Sequence, residues 1–226
     1  MSPTPTFHIR GLREGREDGE FMIAAFDASL AQLAAIGSGG QWGSAPLSER
    51  GVLDDQTKIF EQAQRYQLTG EGDPIRIFVI EAEIENADDD LPASVLVRTD
   101  DAGKKFLAVG SVMLSEGLYP RYMRAHFEKD AIRKELDGTK DYIYVEGLVT
   151  DFRAGPWRKG AGAALLEHSR QFCRERGKRI LYLDAYAGNG RKLIKYYEGQ
   201  GFSLVDGFER DSTPDGCRAF MRMDLV

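Results

Sequence analysis

One run, Gly155, Pro156, Trp157, Arg158, Lys159, Gly160, Ala161 and Gly162, has the residue types and order that point most directly to chemistry. Glycines at 160 and 162 remove side chains where a ligand must come close to the backbone. Arg158 and Lys159 add full positive charges. A helix opening at Ala161 adds the partial positive charge of its free amides. Such a turn can cradle a phosphate. Two phosphate patterns fail on spacing. The nucleotide P-loop needs Lys and Ser or Thr where Ala161 and Gly162 stand, and the dinucleotide fingerprint needs a third glycine where Leu165 stands. A tight turn whose glycines only permit positive φ is the alternative that asks for no ligand.

The cradle needs a strand to deliver it and a helix to carry it. Tyr142–Thr150 reads as the strand and Ala161–Arg176 as the helix. Ile180–Tyr186 reads as a further strand, and a loop over Ala187–Gly190 leads to a short helix, Arg191–Gln200. Strands over Phe202–Arg210 and Arg218–Leu225 close the chain. Upstream, the pattern predicts a strand over Thr6–Leu12 and a helix over Asp18–Ile36 with Phe21, Ala24, Ala25, Ala28, Leu33 and Ile36 on its inner face. Gly37 ends that helix, and the loop to Gly43 carries Gln41 and Trp42. A second helix is expected over Ser48–Leu68, with Ile59, Phe60, Ala63 and Tyr66 inward. Strands follow over Arg76–Glu85, Ser94–Thr99 and Phe106–Leu114, the last two joined by a hairpin turn at Asp100–Gly103. Asn86–Pro92 is an acidic turn and Tyr119–Leu136 a helical excursion.

The stretch from Tyr142 to Arg210 resembles the core of the GNAT superfamily, the acyl-CoA-dependent N-acyltransferases. That family's motif reads Arg/Gln-x-x-Gly-x-Gly/Ala at a strand–helix junction, and Trp157–Gly162 matches both small positions while placing Trp157 at the first. The family also carries an Asn early in the following loop, here Asn189, and a Tyr four residues before a Gly-Phe pair, here Tyr197 before Gly201 and Phe202. The resemblance implies an α/β fold of α+β type: a mixed, mostly antiparallel sheet with helices on both faces and a splayed central strand pair. It implies one domain over 1–226, with an acceptor-side half over 1–141 and an acetyl-CoA-binding core over 142–210. It implies N-acetyl transfer from acetyl-CoA, the co-substrate, to a primary amine by direct attack in a ternary complex, without a metal. Leu148 and Val149 would pair with pantetheine beside a strand splayed at Gly147. Arg158, Lys159, Gly160, Ala161, Gly162 and Ala163 would hold the pyrophosphate, with Asn189 nearby and the contact at Trp157 open.

Three needs of acyl transfer can then be assigned. The thioester carbonyl must be polarised, the thiolate must be protonated, and the amine must lose a proton. A phenol near pKa ~10 can serve a thiol near ~8.5, and the resemblance, which puts the family's Tyr at Tyr197, makes that residue the candidate acid; a core aromatic is the other reading, and Tyr196 is the competitor if the register slips by one residue. Alternation puts Tyr142, Tyr144, Glu146 and Leu148 on one strand face, and a carboxylate between apolar neighbours suits a base. Glu146 is that candidate; a surface carboxylate is the other reading. Asp184 can bind the acceptor cation or pair with Lys or Arg. Gln41, Trp42 and Tyr122 are candidate acceptor walls. A small-molecule amine is the expected partner; a protein or peptide acceptor, or a non-catalytic acyl-CoA-binding module, is the alternative.

Bulk properties narrow the classes further. With 226 residues and 42% apolar content the chain suits one elaborated domain with a sizeable core. A net charge of −6 argues against nucleic acid or an anionic membrane as partner. Cys173 and Cys217 lack metal-ligand spacing and are expected to be reduced, and no run is apolar enough to span a membrane, so a cytoplasmic enzyme is expected. A homodimer is compatible with this composition. His8, His126 and His168 are scattered, and no nucleophile–base set is apparent.

Overall fold

Branched and aromatic runs become strands, and runs of helical period become helices, in the computed structural model, which describes residues 5–50, 53–84, 91–92, 94–209 and 216–225. The strands are β1 (Phe7–Gly11), β2 (Ile75–Ile84), β3 (Val97–Thr99), β4 (Lys105–Glu116), β5 (Tyr142–Thr150), β6 (Ile180–Tyr186), β7 (Ser203–Glu209) and β8 (Cys217–Asp224). The α-helices are α1 (Glu17–Ala35), α2 (Leu53–Thr69), α3 (Asp130–Leu136), α4 (Ala161–Glu175) and α5 (Lys192–Gly199). One mixed, mostly antiparallel sheet results, in the order β1-β2-β4-β5-β6-β8-β7, with β3 paired to β4. The predicted acidic turn at Asn86–Pro92 lies, for residues 86–90, outside the described residues.

The chain divides into two compact units: residues up to 32 with 45–113 and 147–168, and residues 33–44 with 114–146 and 169–226. In the first, α1 turns Phe21, Met22, Ala25 and Phe26 inward. A Cβ on Gly147 would lie 3.6 Å from the Phe26 ring, an ordinary contact, so the packing of this helix on β5 does not itself require glycine there. Gly110 has a stricter reason to be glycine: a Cβ there would stand 2.7 Å from the Val149 carbonyl oxygen. Charge is buried here as well. The Asp18 carboxylate accepts two bonds from Arg10, at 2.7 and 2.9 Å, and one from the Arg13 amide at 2.8 Å. Glu81 lies between Arg10 at 2.7 Å and Arg98 at 2.6 Å.

The second unit is built on aromatic side chains. Tyr142, Tyr144, Tyr182, Phe208 and Phe220 pack with Met123, Ile132 and Leu136. β6 pairs with β8 along its whole length. Its parallel pairing with β5 runs only from Tyr142–Ile180 to Val145–Leu183, although β5 continues to Thr150 and β6 to Tyr186.

Several expectations are corrected. Ile36 does not complete the inner face of α1; it lies past the helix end and is 57% exposed. The helix predicted from Ser48 begins at Leu53, after a 3₁₀ turn over Leu47–Glu49, because Asp27 draws the Leu47 amide and the Ser48 hydroxyl into bonds of 2.6 and 2.7 Å. The Ser94–Thr99 strand contracts to Val97–Thr99. The Tyr119–Leu136 excursion is two pieces, a 3₁₀ segment over Arg121–His126 and then α3.

Candidate functional site

The glycine turn belongs to the first unit. After β5, Phe152–Arg158 winds as a 3₁₀ segment broken at Gly155, whose φ of 54° needs glycine. Gly160, at φ 92°, then turns the chain into α4. The Ala164 amide bonds to Gly160 O at 3.0 Å, so the amides of Gly160, Ala161, Gly162 and Ala163 precede the first intrahelical bond. Gly160 and Ala163 are exposed and Gly162 partly so, while Ala161 is buried. A Cβ at Gly160 would meet the Phe7 ring at 3.5 Å, and, its chain neighbours aside, no other described residue would come within 4 Å of it. Four free amides at a helix start can bind a diphosphate.

The nearby cations do not all face this turn. Arg158 lies over the Phe152 ring at 3.8 Å and donates to Thr150 Oγ1 at 3.3 Å, and burial lowers its pKa from the ordinary guanidinium value. Arg153 is committed to the fully buried Asp151, at 2.9 Å, and to Ser94 O. Lys159 is exposed and Trp157 partly buried. Along β5, Val149 and Leu148 separate. The Val149 carbonyl packs against Gly110, and the Asp151 amide donates to Val109 O at 2.8 Å, so these residues turn their backbone groups towards β4. Peptide groups alternate along a strand, so Leu148 and Thr150 turn theirs to the opposite edge, beyond the last β5–β6 pair. The backbone groups of Leu148 and Val149 thus lie on opposite edges of β5.

The second unit carries the candidate acid, base and acceptor groups. Tyr197 is 9% exposed and meets Tyr196 and Phe202 edge-on at 5.4 and 5.7 Å. Burial, then Tyr196 and the charge of Asp184, raises its phenol above the ordinary value. Glu146 is partly buried and accepts a short hydrogen bond from Ser115, a fully buried residue that sequence patterns did not single out. Among the described residues, no Lys or Arg pairs with Asp184. Its Oδ1 accepts from the Tyr122 hydroxyl at 2.5 Å and from the Tyr144 hydroxyl at 2.9 Å. Burial first, then Asp184 and Tyr122, pushes the Tyr144 phenol well above its usual value, so it stays a donor.

The loop after β6 is strained. Asn189, Gly190 and Arg191 have φ of 50°, 60° and 60°, a left-handed turn that a side chain as long as Arg rarely adopts. Asn189 holds it by donating from its amide nitrogen to Ile36 O and Ser38 Oγ, both at 2.7 Å, which fixes the loop carrying Gln41 and Trp42. Its predicted part in cofactor binding gains no support from these bonds. The Gln41 carbonyl accepts from Arg218 at 2.6 Å, and the Arg218 guanidinium lies 6.0 Å from the Trp42 ring and 5.6 Å from Tyr186. Arg218, only 4% exposed, is a buried cation that sequence reasoning did not single out, because a lone Arg in a terminal strand carries no pattern. The basic run at the end of α4 is largely used in structure, with Arg176 on Glu116 at 2.9 Å and Arg179 on Asp141 at 2.5 Å.

Among the described residues, no group of three or more His, Cys, Asp or Glu could hold a metal ion, and no helix is long and apolar enough to cross a membrane. His168 packs its ring against Phe78 at 4.4 Å. Cys173 is buried, Cys217 is exposed and both are free.

Comparison with known proteins bears on this arrangement. A family model described as the acetyltransferase (GNAT) family matches residues 71–202. No curated protein matches significantly. Among solved structures, an N-acetyltransferase from Staphylococcus aureus Mu50 is similar at a TM-score of 0.56 and 16% identity, over 98% of this chain and 99% of that one. A ribosomal-protein-alanine N-acetyltransferase from Brucella melitensis has a TM-score of 0.56 at 14% identity, over 96% and 99%. A PaiA N-acetyltransferase from Thermoplasma acidophilum, in complex with coenzyme A, has 0.54 at 14%, over 97% and 99%. At such identities the structures speak for the fold alone. The family model covers more than half of the sequence and includes the strand, glycine turn and helix described above, so the chain belongs to the GNAT family of acyl-CoA-dependent N-acetyltransferases.

Proposed function

We propose that the protein moves an acetyl group from acetyl-CoA to a primary amine of a small molecule, by direct attack with both substrates bound. The observation that carries the donor half is the row of free amides from Gly160 to Ala163. A diphosphate would take these amides, with Lys159 adding charge from the surface. The outward backbone groups of Leu148 and Thr150 would hold the amide-bearing arm of the donor, as an added strand does. Acetyl-CoA supplies the activated acetyl thioester. Tyr197, kept neutral by burial, donates a proton to the departing thiolate. Glu146, oriented by Ser115, accepts the amine's proton directly or through water. Asp184, set by its two phenols, attracts the cationic amine. The free cysteines suit a reducing cytoplasm.

Calorimetric titration with acetyl-CoA, using ATP and NAD as controls, tests the donor half, and thiol release over a panel of small amines tests transfer. Selective acetyl-CoA binding with amine-dependent thiol release is expected. Equal binding of ATP, or binding without thiol release from any amine, rejects the reading.

A further inference from the structure

The second unit holds an open cavity of about 820 Å³ where residues 117–140 meet the start of β5. Three of its lining residues are cations, Arg121, Arg124 and Lys140, and one is an acid, Asp137. Among the described residues, none of these cations makes an ion pair or a side-chain hydrogen bond, with Asp137 or with any other group. Elsewhere Arg10, Arg98, Arg153 and Arg222 each hold a carboxylate, in a chain whose net charge is −6. Local geometry gathers the three. Arg121 and Arg124 lie three residues apart in the 3₁₀ segment Arg121–His126, and side chains at that spacing stand one above the other. Gly117, at φ 63°, brings the chain that leads to them against Lys140: a Cβ there would lie 3.2 Å from the Lys140 Cβ. Like charges gathered in this way repel, and an anion in the cavity offsets the repulsion.

A buried donor opens on the same space. Tyr142 lines the cavity yet is only 1% exposed, and among the described residues its hydroxyl has no hydrogen-bond partner. Nor is that hydroxyl one of the polar atoms sealed in the core, so its small exposure lies on the cavity. Burial, then the neighbouring Tyr119, raises this phenol above the ordinary value, and it stays a donor. A buried donor without an acceptor costs free energy that a bound acceptor recovers. Leu118, Leu136 and Tyr119 add apolar wall.

We infer that this cavity is a binding site for a small phosphate monoester whose ester group is compact and apolar or aromatic. Arg121 and Arg124 take the phosphate oxygens, Lys140 adds charge, the Tyr142 hydroxyl donates, and the apolar wall covers the ester group. A phosphate dianion matches three cations and one acid better than a single carboxylate does. Tyr142 and Glu146 are four residues apart on β5, about 13 Å at the usual rise, so the site is separate from the base proposed for acetyl transfer. Neither the cavity nor its test involves the acetyl donor.

The full chain is titrated calorimetrically, in a buffer free of phosphate and sulfate, with phenyl phosphate, inorganic phosphate, benzoate and phenol. Phenyl phosphate should bind most tightly, inorganic phosphate less so, and benzoate and phenol most weakly. Replacing Arg121→Gln and Arg124→Gln together should weaken phenyl phosphate about tenfold or more, and Tyr142→Phe should weaken it about fivefold. Both arginines are exposed, so the double variant should unfold like the wild type. The wild-type protein supplies an independent readout, whether or not the variants fold. Phenylglyoxal modifies accessible arginines, and peptide mass spectrometry reads each one. Phenyl phosphate should slow modification of Arg121 and Arg124 and leave Arg65, an exposed arginine of the other unit, unaffected. No binding of phenyl phosphate, unchanged binding in the double variant, or benzoate or phenol binding as tightly overturns the inference. Phenyl phosphate held at the glycine turn instead would leave Arg121 and Arg124 unprotected, which also overturns it. So does a single-stranded oligonucleotide that protects these two arginines at lower concentration than phenyl phosphate, since a polymer would then be the better occupant.

Discussion

At the scale of single residues, the proton that must reach a thiolate decides which tyrosine matters. Tyr197 is buried against Phe202 and Tyr196, and its phenol is raised chiefly by burial. It therefore stays protonated through the neutral range, as the proposed role of proton donor requires. Tyr196, one position earlier, is 41% exposed. Replacing Tyr197 with Phe keeps the ring and removes the oxygen. The expected result is a fall in kcat of about 10²-fold with KM for acetyl-CoA nearly unchanged. Tyr196→Phe should change kcat by less than about threefold, an effect below the usual range for a lost acid. Steady-state rates of the two variants check both statements, and a large loss confined to Tyr196 would move the acid by one residue. The same raised phenol predicts that any alkaline fall in rate below the ordinary phenol range comes from another group. Glu146 and Asp184 differ in how readable they were. Alternation along one strand suffices to place Glu146 among aromatic neighbours. The phenols on Asp184 include Tyr122, 62 residues away, and no local pattern joins such a pair.

At the scale of elements, β5 and its glycine neighbours bear on the proposed donor side. Gly110 on β4 is tight against the Val149 carbonyl, and with that carbonyl facing β4 the backbone groups of Leu148 face the opposite edge. A Cβ at 110 would sit 2.7 Å from a backbone oxygen, which cannot swing away as a side chain can. Gly110→Ala should therefore push β5 off β4, at a cost of about 1–3 kcal/mol, and should raise KM for acetyl-CoA more than it lowers kcat. Urea unfolding and steady-state kinetics of that variant measure the two effects; unchanged stability would mean that β5 is not held there. The boundaries of β5 and β6 were legible because dense β-branched and aromatic runs end at turn residues on both sides. The start of α4 was legible from glycines followed by a helix-period run. Gly110 itself was not, because a glycine inside a strand announces a close approach without naming the partner. The inner face of α1 was misjudged at Ile36 for a similar reason. Apolar periodicity can continue past the residue where Gly37, at φ 78°, ends the helix.

At the scale of the whole molecule, each unit carries its own pH limit. In the first, burial alone would raise the Asp18 carboxyl, but its bonds to Arg10 and the Arg13 amide, with the charges of both arginines, outweigh that and hold it below the ordinary carboxylate value. A carboxyl depressed in the folded state contributes stability that is present above its unfolded pKa and lost as pH falls through its folded one. In the second unit, burial foremost raises the phenols of Tyr142, Tyr144 and Tyr182. The folded chain then holds these protons more tightly than the unfolded chain. Their contribution is complete below the ordinary phenol pKa of about 10 and is lost as pH rises above it towards the raised folded values. Stability should therefore form a plateau from weakly acidic to weakly alkaline pH, with an acid edge set in one unit and an alkaline edge in the other. Asp18→Asn isolates the acid edge. It leaves Arg10 facing Glu81 alone and should cost about 3 kcal/mol at neutral pH. The cost should shrink as pH falls below the ordinary carboxylate range, because the wild-type carboxyl then loses its charge as well. Thermal unfolding of wild type and variant from pH 3 to pH 8, about 3.9 being the ordinary Asp pKa, follows the two curves. Convergence at the acid end is the expected outcome; a constant gap would show that the Arg10–Asp18 pair does not set the acid limit. At the alkaline end, ultraviolet titration of the phenols should show exposed tyrosines ionising near their ordinary value. The buried cluster should follow only as the fold opens, so a smooth, fully reversible titration of every tyrosine would contradict the burial that raises them.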